Sequence, residues 1–228
     1  MRQVVVKGKE KKGKTSKEKV LVSVLLDESG SMNATIGKTF EGFNSYIDGL
    51  KQETDQDIVI CLNTFNSNHL TGTPIINSLW ESLPVKNCGM LSSKNYHPDG
   101  YTPLYDAISE TVEKVDRFSS DVSRVLFVII TDGQENDSKK NKKNDIVRMI
   151  QEREGKGWTF VYIGANQDAW QEGENIGVRG VNTMTYNQGQ ENMMYNSLRI
   201  GTQCYLSAPS TSSQYFFLDR ANSEDENK

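Results

Sequence analysis

At 228 residues, 36% hydrophobic and 25% charged, the chain is long enough to bury one substantial core and gives no reason to invoke a second. Its formal charge of -4 is unevenly spread: residues 1–19 hold eight Lys/Arg against two Glu, so the acidity, about -10, belongs to residues 20–228. Three cysteines without a Cys-x-x-Cys pair argue against a disulfide framework or a zinc site; with a charged start and no run near the ~18 apolar residues of a membrane helix, a reduced cytoplasmic protein is expected.

Residues 7–19 contain no apolar residue and read as a solvated arm, so 1–19 are set apart from the folded part. Nucleic-acid binding through this arm is the sharper alternative, and the lack of interleaved aromatics weighs against it. Residues 20–26, with Ser23 as their one polar member, predict a strand buried on both faces, ending in Asp27-Glu28-Ser29-Gly30-Ser31. Phe40, Phe43, Ile47 and Leu50 then recur at helical spacing. Residues 57–65 read as a second strand, and the short turn at 66–68 permits only an antiparallel return, through a third stretch at 69–76 that becomes an edge.

Residues 77–101 look irregular, and a loop of that length in a compact domain is usually functional. Thr102 suits a helix cap and Pro103 the first helical position, with Leu104, Ile108, Val112 and Val115 as the buried stripe beyond. Residues 125–130 form a second continuous apolar strand, again tipped by an acid in Thr131-Asp132-Gly133. A helix over 145–154, a strand over 158–163, a short helix over 168–176, a strand over 178–185 and a last helix over 188–199 complete the pattern. In that helix Met193, Met194 and Leu198 are expected to face inward; the domain closes near residue 203, and 204–228 read as a polar tail. This alternation predicts an α/β sandwich with a mainly parallel sheet covered on both sides. Ligands in such sheets sit beyond the carboxyl ends of the strands, where the two acid-tipped strands would meet.

An Asp and two Ser at alternate positions, in a turn loosened by Gly30, can aim three oxygens into one small volume, which suits a hard divalent cation. Asp27-x-Ser29-x-Ser31, Thr102 in Gly100-Tyr101-Thr102-Pro103-Leu104, and Asp132 in Thr131-Asp132-Gly133 follow one another in the order of the von Willebrand factor A (vWA) domain family. The resemblance covers residues 20–200 and includes all five positions of that family's metal-ion-dependent adhesion site. It implies a Rossmann-like three-layer sandwich with sheet order 3-2-1-4-5-6 and one antiparallel edge strand. It further implies that Ser29 and Ser31 contact Mg²⁺ (or Mn²⁺) directly, that Asp27 and Asp132 act largely through water, and that Thr102 does either. An open coordination position would then accept an Asp or Glu carboxylate from a partner protein.

Each element of this set has a plainer reading. Ser29 and Ser31 could cap the following helix and Asp132-Gly133 could be a turn, but separate caps rarely reproduce the whole pattern. His97 reads as a solvated loop residue, and Asp106 as facing solvent or capping a neighbour. The favoured function is a cation-dependent protein–protein interaction module, monomeric when free, resembling the intracellular bacterial and phage members of the family. The alternatives are an assembly component of a phage particle and a metal-dependent phosphohydrolase with Asp27 as nucleophile. The last lacks a general acid two residues on, where this chain has Ser29.

Overall fold

The apolar run at residues 20–26 is the middle of the sheet. The computed structural model describes residues 17–165 and 169–208. Its strands are β1 (Lys19–Asp27), β2 (Asp57–Ser67), β3 (Pro74–Pro84), β4 (Arg124–Thr131), β5 (Trp158–Ala165) and β6 (Thr183–Tyr186). Val20, Val22, Val24 and Leu26 of β1 enter one apolar layer, and Leu21 and Leu25 the other. A strand covered on both faces has no reason to alternate, which explains its uninterrupted apolar sequence.

The sheet order is β3-β2-β1-β4-β5-β6, parallel throughout except for the antiparallel edge strand β3. The helices are α1 (Ile36–Lys51), α2 (Leu104–Ser119), α3 (Lys143–Glu154), α4 (Ala169–Asn175) and α5 (Glu191–Ser207). Helices α1 and α5 pack on the first layer through Phe43, Ile47, Leu50, Met194 and Leu198. Helices α2, α3 and α4 pack on the second through Ile108, Val112, Val115, Ile146, Ile150 and Ala169. The helix following β1 and the helix following β4 therefore lie on opposite faces. Their connecting loops part above two neighbouring strands and leave a crevice at the carboxyl ends.

Several boundaries differ from the expectation. Strand β3 starts at Pro74 rather than residue 69 and runs to Pro84, through residues that read as irregular. The turn before it spans 68–73: Asn68 Oδ1 accepts the backbone N–H of Leu70 (2.9 Å) and Thr71 (3.1 Å), holding His69 in the turn. The strand itself is half-buried, its register shifts near Leu62, and Ser82 has a φ of 45°, so no clean alternation marks it. Strand β6 is shorter than expected, because Gly180–Asn182 forms a 3-10 turn in its place.

Helix α5 runs on to Ser207, past a buried Gly201, so Cys204–Ser207 belong to the helix and not to the tail that was set to begin at 204. Its end is fixed from outside: Arg124 Nη1 donates to the carbonyls of Tyr205 (2.8 Å) and Ala208 (3.0 Å), and Nη2 to that of Leu206 (3.1 Å). Nη2 also meets Glu18 Oε2 at 2.8 Å. Met194 and Leu198 are buried as expected, whereas Met193 is 68% exposed. Residues 1–16 of the basic arm and 209–228 of the tail lie outside the described residues.

Candidate metal centre

Both acid-tipped strands end in the crevice. Asp27 closes β1 with its carboxylate fully buried. Its Oδ1 accepts the backbone N–H of Ser29 (2.7 Å) and its Oδ2 the hydroxyl of Thr131 (2.5 Å), the last residue of β4. Ser29 and Ser31 stand with their hydroxyl oxygens 3.2 Å apart, and Ser31 Oγ donates to Asp132 Oδ1 at 2.6 Å. The chain can turn this tightly because residues 30–35 form a 3-10 turn before α1. Neither Ser29 nor Thr35 caps a helix with its side chain, so the capping reading of the serines does not hold.

Thr102 arrives from the other side. It was expected to cap α2, but Pro103 takes the cap position and the helix begins at Leu104. The exposed N–H groups of that first turn are met instead by the loop after β4: Tyr105 N–H donates to Glu135 Oε2 (2.9 Å) and Asp106 N–H to Ser138 Oγ (3.1 Å). The clasp is reciprocal. The buried carboxylate of Asp106 accepts backbone N–H groups from Lys139 (2.7 Å), Lys140 (3.1 Å) and Asn141 (2.8 Å). Thr102 N–H donates to Asn136 Oδ1 (2.9 Å), and Asn136 N–H to Thr102 O (3.2 Å). Thr102 is thereby pressed against Gly133, where a Cβ would stand 3.0 Å from the threonine hydroxyl.

The loop ahead of Thr102 is equally constrained. Gly100 has a φ of 69° and lies so close to Ser67 that a Cβ would fall 1.7 Å from its carbonyl oxygen. Its own carbonyl accepts the Gly30 N–H (3.1 Å), and the Tyr96 hydroxyl donates to the Asp27 carbonyl (2.5 Å). Glu28, buried behind the site, accepts the His97 backbone N–H. His97 is exposed, in keeping with a solvated loop residue, and Asp99 turns to His69 (Nδ1 to Oδ2, 2.9 Å).

Asp27, Ser29, Ser31, Thr102 and Asp132 thus meet around one crevice. Burial pushes the Asp27 carboxyl up to about 7, against the hydrogen bonds from Thr131 and Ser29 and with a further push from Asp132. Burial raises Asp132 as well, against its bond from Ser31. A cation beside the buried Asp27 and the half-buried Asp132 would favour their ionised forms, and the three hydroxyls beside them are neutral oxygen donors. This set fits a hard cation such as Mg²⁺ or Mn²⁺ and lacks the nitrogen and sulfur that zinc prefers. Among the described residues no three His, Cys, Asp or Glu side chains stand close enough together to hold a metal ion by themselves, so at this centre the hydroxyls would carry the donor count.

Thr131, Tyr96, Glu135, Asn136 and Ser138 were not anticipated, and only the proximity of Thr131 to Asp132 offered a signal. Asp106 does cap a neighbour, but as a buried anchor rather than a surface group.

No family model and no curated protein matches the sequence. Solved structures do. A von Willebrand factor type A structure from Catenulispora acidiphila matches at TM-score 0.55 and 14% identity, over 82% of this chain and 43% of that one. The manganese-loaded TRAP protein of Plasmodium vivax matches at 0.51 and 17%, over 78% and 72%. The vWF domain of the type V pili tip protein Mfa5 from Porphyromonas gingivalis matches at 0.60 and 8%, over 86% and 98%. The chain spans less than half the length of several of the solved chains it resembles. Identities this low speak to architecture alone, and the architecture is that of a vWA domain: a six-stranded, mostly parallel sheet in the order 3-2-1-4-5-6 between two helical layers.

Proposed function

We propose that the chain is a divalent-cation-dependent protein–protein interaction module that captures an Asp or Glu carboxylate of a partner. The observation that carries the reading is the convergence of Asp27, Ser29, Ser31, Thr102 and Asp132 on one crevice at the carboxyl ends of β1 and β4. Ser29 and Ser31 present hydroxyl oxygens for direct contact with Mg²⁺ or Mn²⁺, and Thr102 a third, directly or through water. Asp27 and Asp132 balance the charge chiefly through water. A cation held mainly by neutral oxygens stays electrophilic and offers an open position to an incoming carboxylate. The manganese carried by the TRAP structure supports the choice of metal. Both oxygens of Asp27 are already engaged, by Ser29 and Thr131, which argues against that residue as a nucleophile.

Cys61, Cys88 and Cys204 are all free thiols, and the reading includes a reducing, cytoplasmic setting in a bacterium or a phage-infected cell. Among the described residues no helix is long and apolar enough to cross a membrane. A second reading, a component of a larger assembly such as a phage particle, draws on the pilus tip protein among the similar structures. It predicts stable self-association, whereas a transient binder is monomeric when free.

The test is calorimetric titration of Mg²⁺ and Mn²⁺, followed by capture of partners in Mg²⁺ or EDTA, with wild type and Asp27→Ala compared throughout. We expect one cation bound by wild type, none by the folded variant, and a partner retained only by wild type with the cation. Global unfolding of Asp27→Ala, or capture indifferent to EDTA, counts against the assignment.

A further inference from the structure

A further buried acid stands at the start of the last helix, on the same side of the sheet as α1. Glu191 opens α5 and is 1% exposed. Its Oε1 accepts the Gly189 N–H (2.9 Å), which occupies one oxygen in an ordinary turn bond. The other, Oε2, is buried with no hydrogen-bond partner. A buried carboxylate oxygen left without a donor is costly, and nothing in local helix geometry requires it.

The turn before α5 lies against the 3-10 turn and the first residues of α1, where Ala34, Thr35, Gly37 and Lys38 line one cavity with Gln188 and Gly189. That 3-10 turn is the one that carries Ser31. Lys38, the cation at this turn, has its ammonium on the Gly189 carbonyl (2.7 Å). Across the sheet, Thr131 pairs with Gly164, Gly164 with Thr185, and Ala165 with Tyr186, so only small residues stand between the tips of β4 and β6. Burial raises the Asp132 carboxyl, with a smaller push from Glu191, and burial raises the Tyr186 hydroxyl, with smaller pushes from Asp132, Glu191 and Asp27, so the acids share one neighbourhood at the strand tips.

We propose that Glu191 is a further outer carboxylate of the metal centre, its free oxygen holding a water of the cation's shell beside Asp132. This rests on the reading of the crevice as a divalent-cation site. Mg²⁺ and Mn²⁺ retain several waters, and the protons of those waters need acceptors; outer groups of this kind tune affinity by about 10- to 100-fold. Glu191 acts as a positioning residue, because it reaches the cation only through water. It also makes the first turn of α5 part of the centre, although none of the sequence motif lies there.

The experiment is Mn²⁺ titration followed by electron paramagnetic resonance of the free ion, with melting temperatures taken in EDTA, on wild type, Glu191→Gln, Glu191→Asp and Ser29→Ala. Gln keeps an acceptor for the Gly189 N–H and removes the charge. The expected result is an affinity for Mn²⁺ lowered about tenfold or more in Glu191→Gln, with its melting temperature in EDTA unchanged or raised, and an intermediate affinity for Glu191→Asp. Wild-type affinity in Glu191→Gln alongside weakened Ser29→Ala overturns the role of Glu191 and leaves the site reading standing. Absence of Mn²⁺ binding by wild type takes both down together. A lower affinity in both Glu191 variants that merely tracks a fall in their EDTA melting temperatures makes Glu191 a helix cap and overturns the proposal.

Discussion

At the scale of single residues, the centre is built from hydrogen bonds that orient oxygen lone pairs. The carboxylate of Asp132 can only accept, so the Ser31 proton points at it and the Ser31 lone pairs are left for the crevice. Asp106 does the complementary work outside the crevice. Burial raises its carboxyl, but the N–H groups of Lys139, Asn141 and Lys140 more than offset this and hold it below the usual range. An acid depressed in the folded state stabilises the fold above its unfolded value, about 3.9, and that contribution is lost as pH falls through the folded value. Asp106→Asn is therefore expected to cost about 2 kcal/mol at neutral pH, a gap that persists at pH 5 and narrows at pH 3. Urea denaturation of both proteins at the three pH values measures it, and a gap that stays constant contradicts the clasp. The motif residues were legible because their spacing is local and their chemistry unusual. Asp106, Glu135 and Tyr96 were not, because their partners are backbone groups of loops whose path no short-range pattern encodes.

At the scale of elements, long apolar runs were the readable part. Strands β1 and β4, sealed on both faces, announce themselves; half-buried β3, with its register shift and the left-handed Ser82, does not. Helix α5 outran its expected end at residue 199 because the cap that ends it comes from β4, far away in sequence. Arg124→Met tests that account. It removes bonds to three carbonyls and to Glu18, whose side chain remains 28% exposed and can hydrate. We expect destabilisation of about 3 kcal/mol, the low end for breaking a buried ion pair, with faster amide exchange confined first to the last turn of α5. Unchanged exchange there shows the helix end to be held by other contacts.

At the scale of the whole molecule, the fold class followed from the alternation of strands and helices, and the order of the sheet from the resemblance; both were legible before any coordinates. The lower boundary was not: Lys19 belongs to β1, its carbonyl accepts the Ser123 N–H (2.8 Å), and the Glu18 carbonyl accepts the Asp57 N–H (2.9 Å). A chain beginning at Val20 is thus expected to melt at least about 4 °C below one beginning at Lys17, and equal melting temperatures by calorimetry speak against these contacts. The same neighbourhood sets the polarity of the domain. Glu18 and Ala208 both rest on Arg124 at the amino end of β4, whereas the crevice crowns its carboxyl end. Both ends of the described chain leave from one pole, with the crevice at the other. A support coupled beside Lys17 or Ala208 holds the domain like a stalk, with the carboxyl ends of β1 and β4 turned away from it.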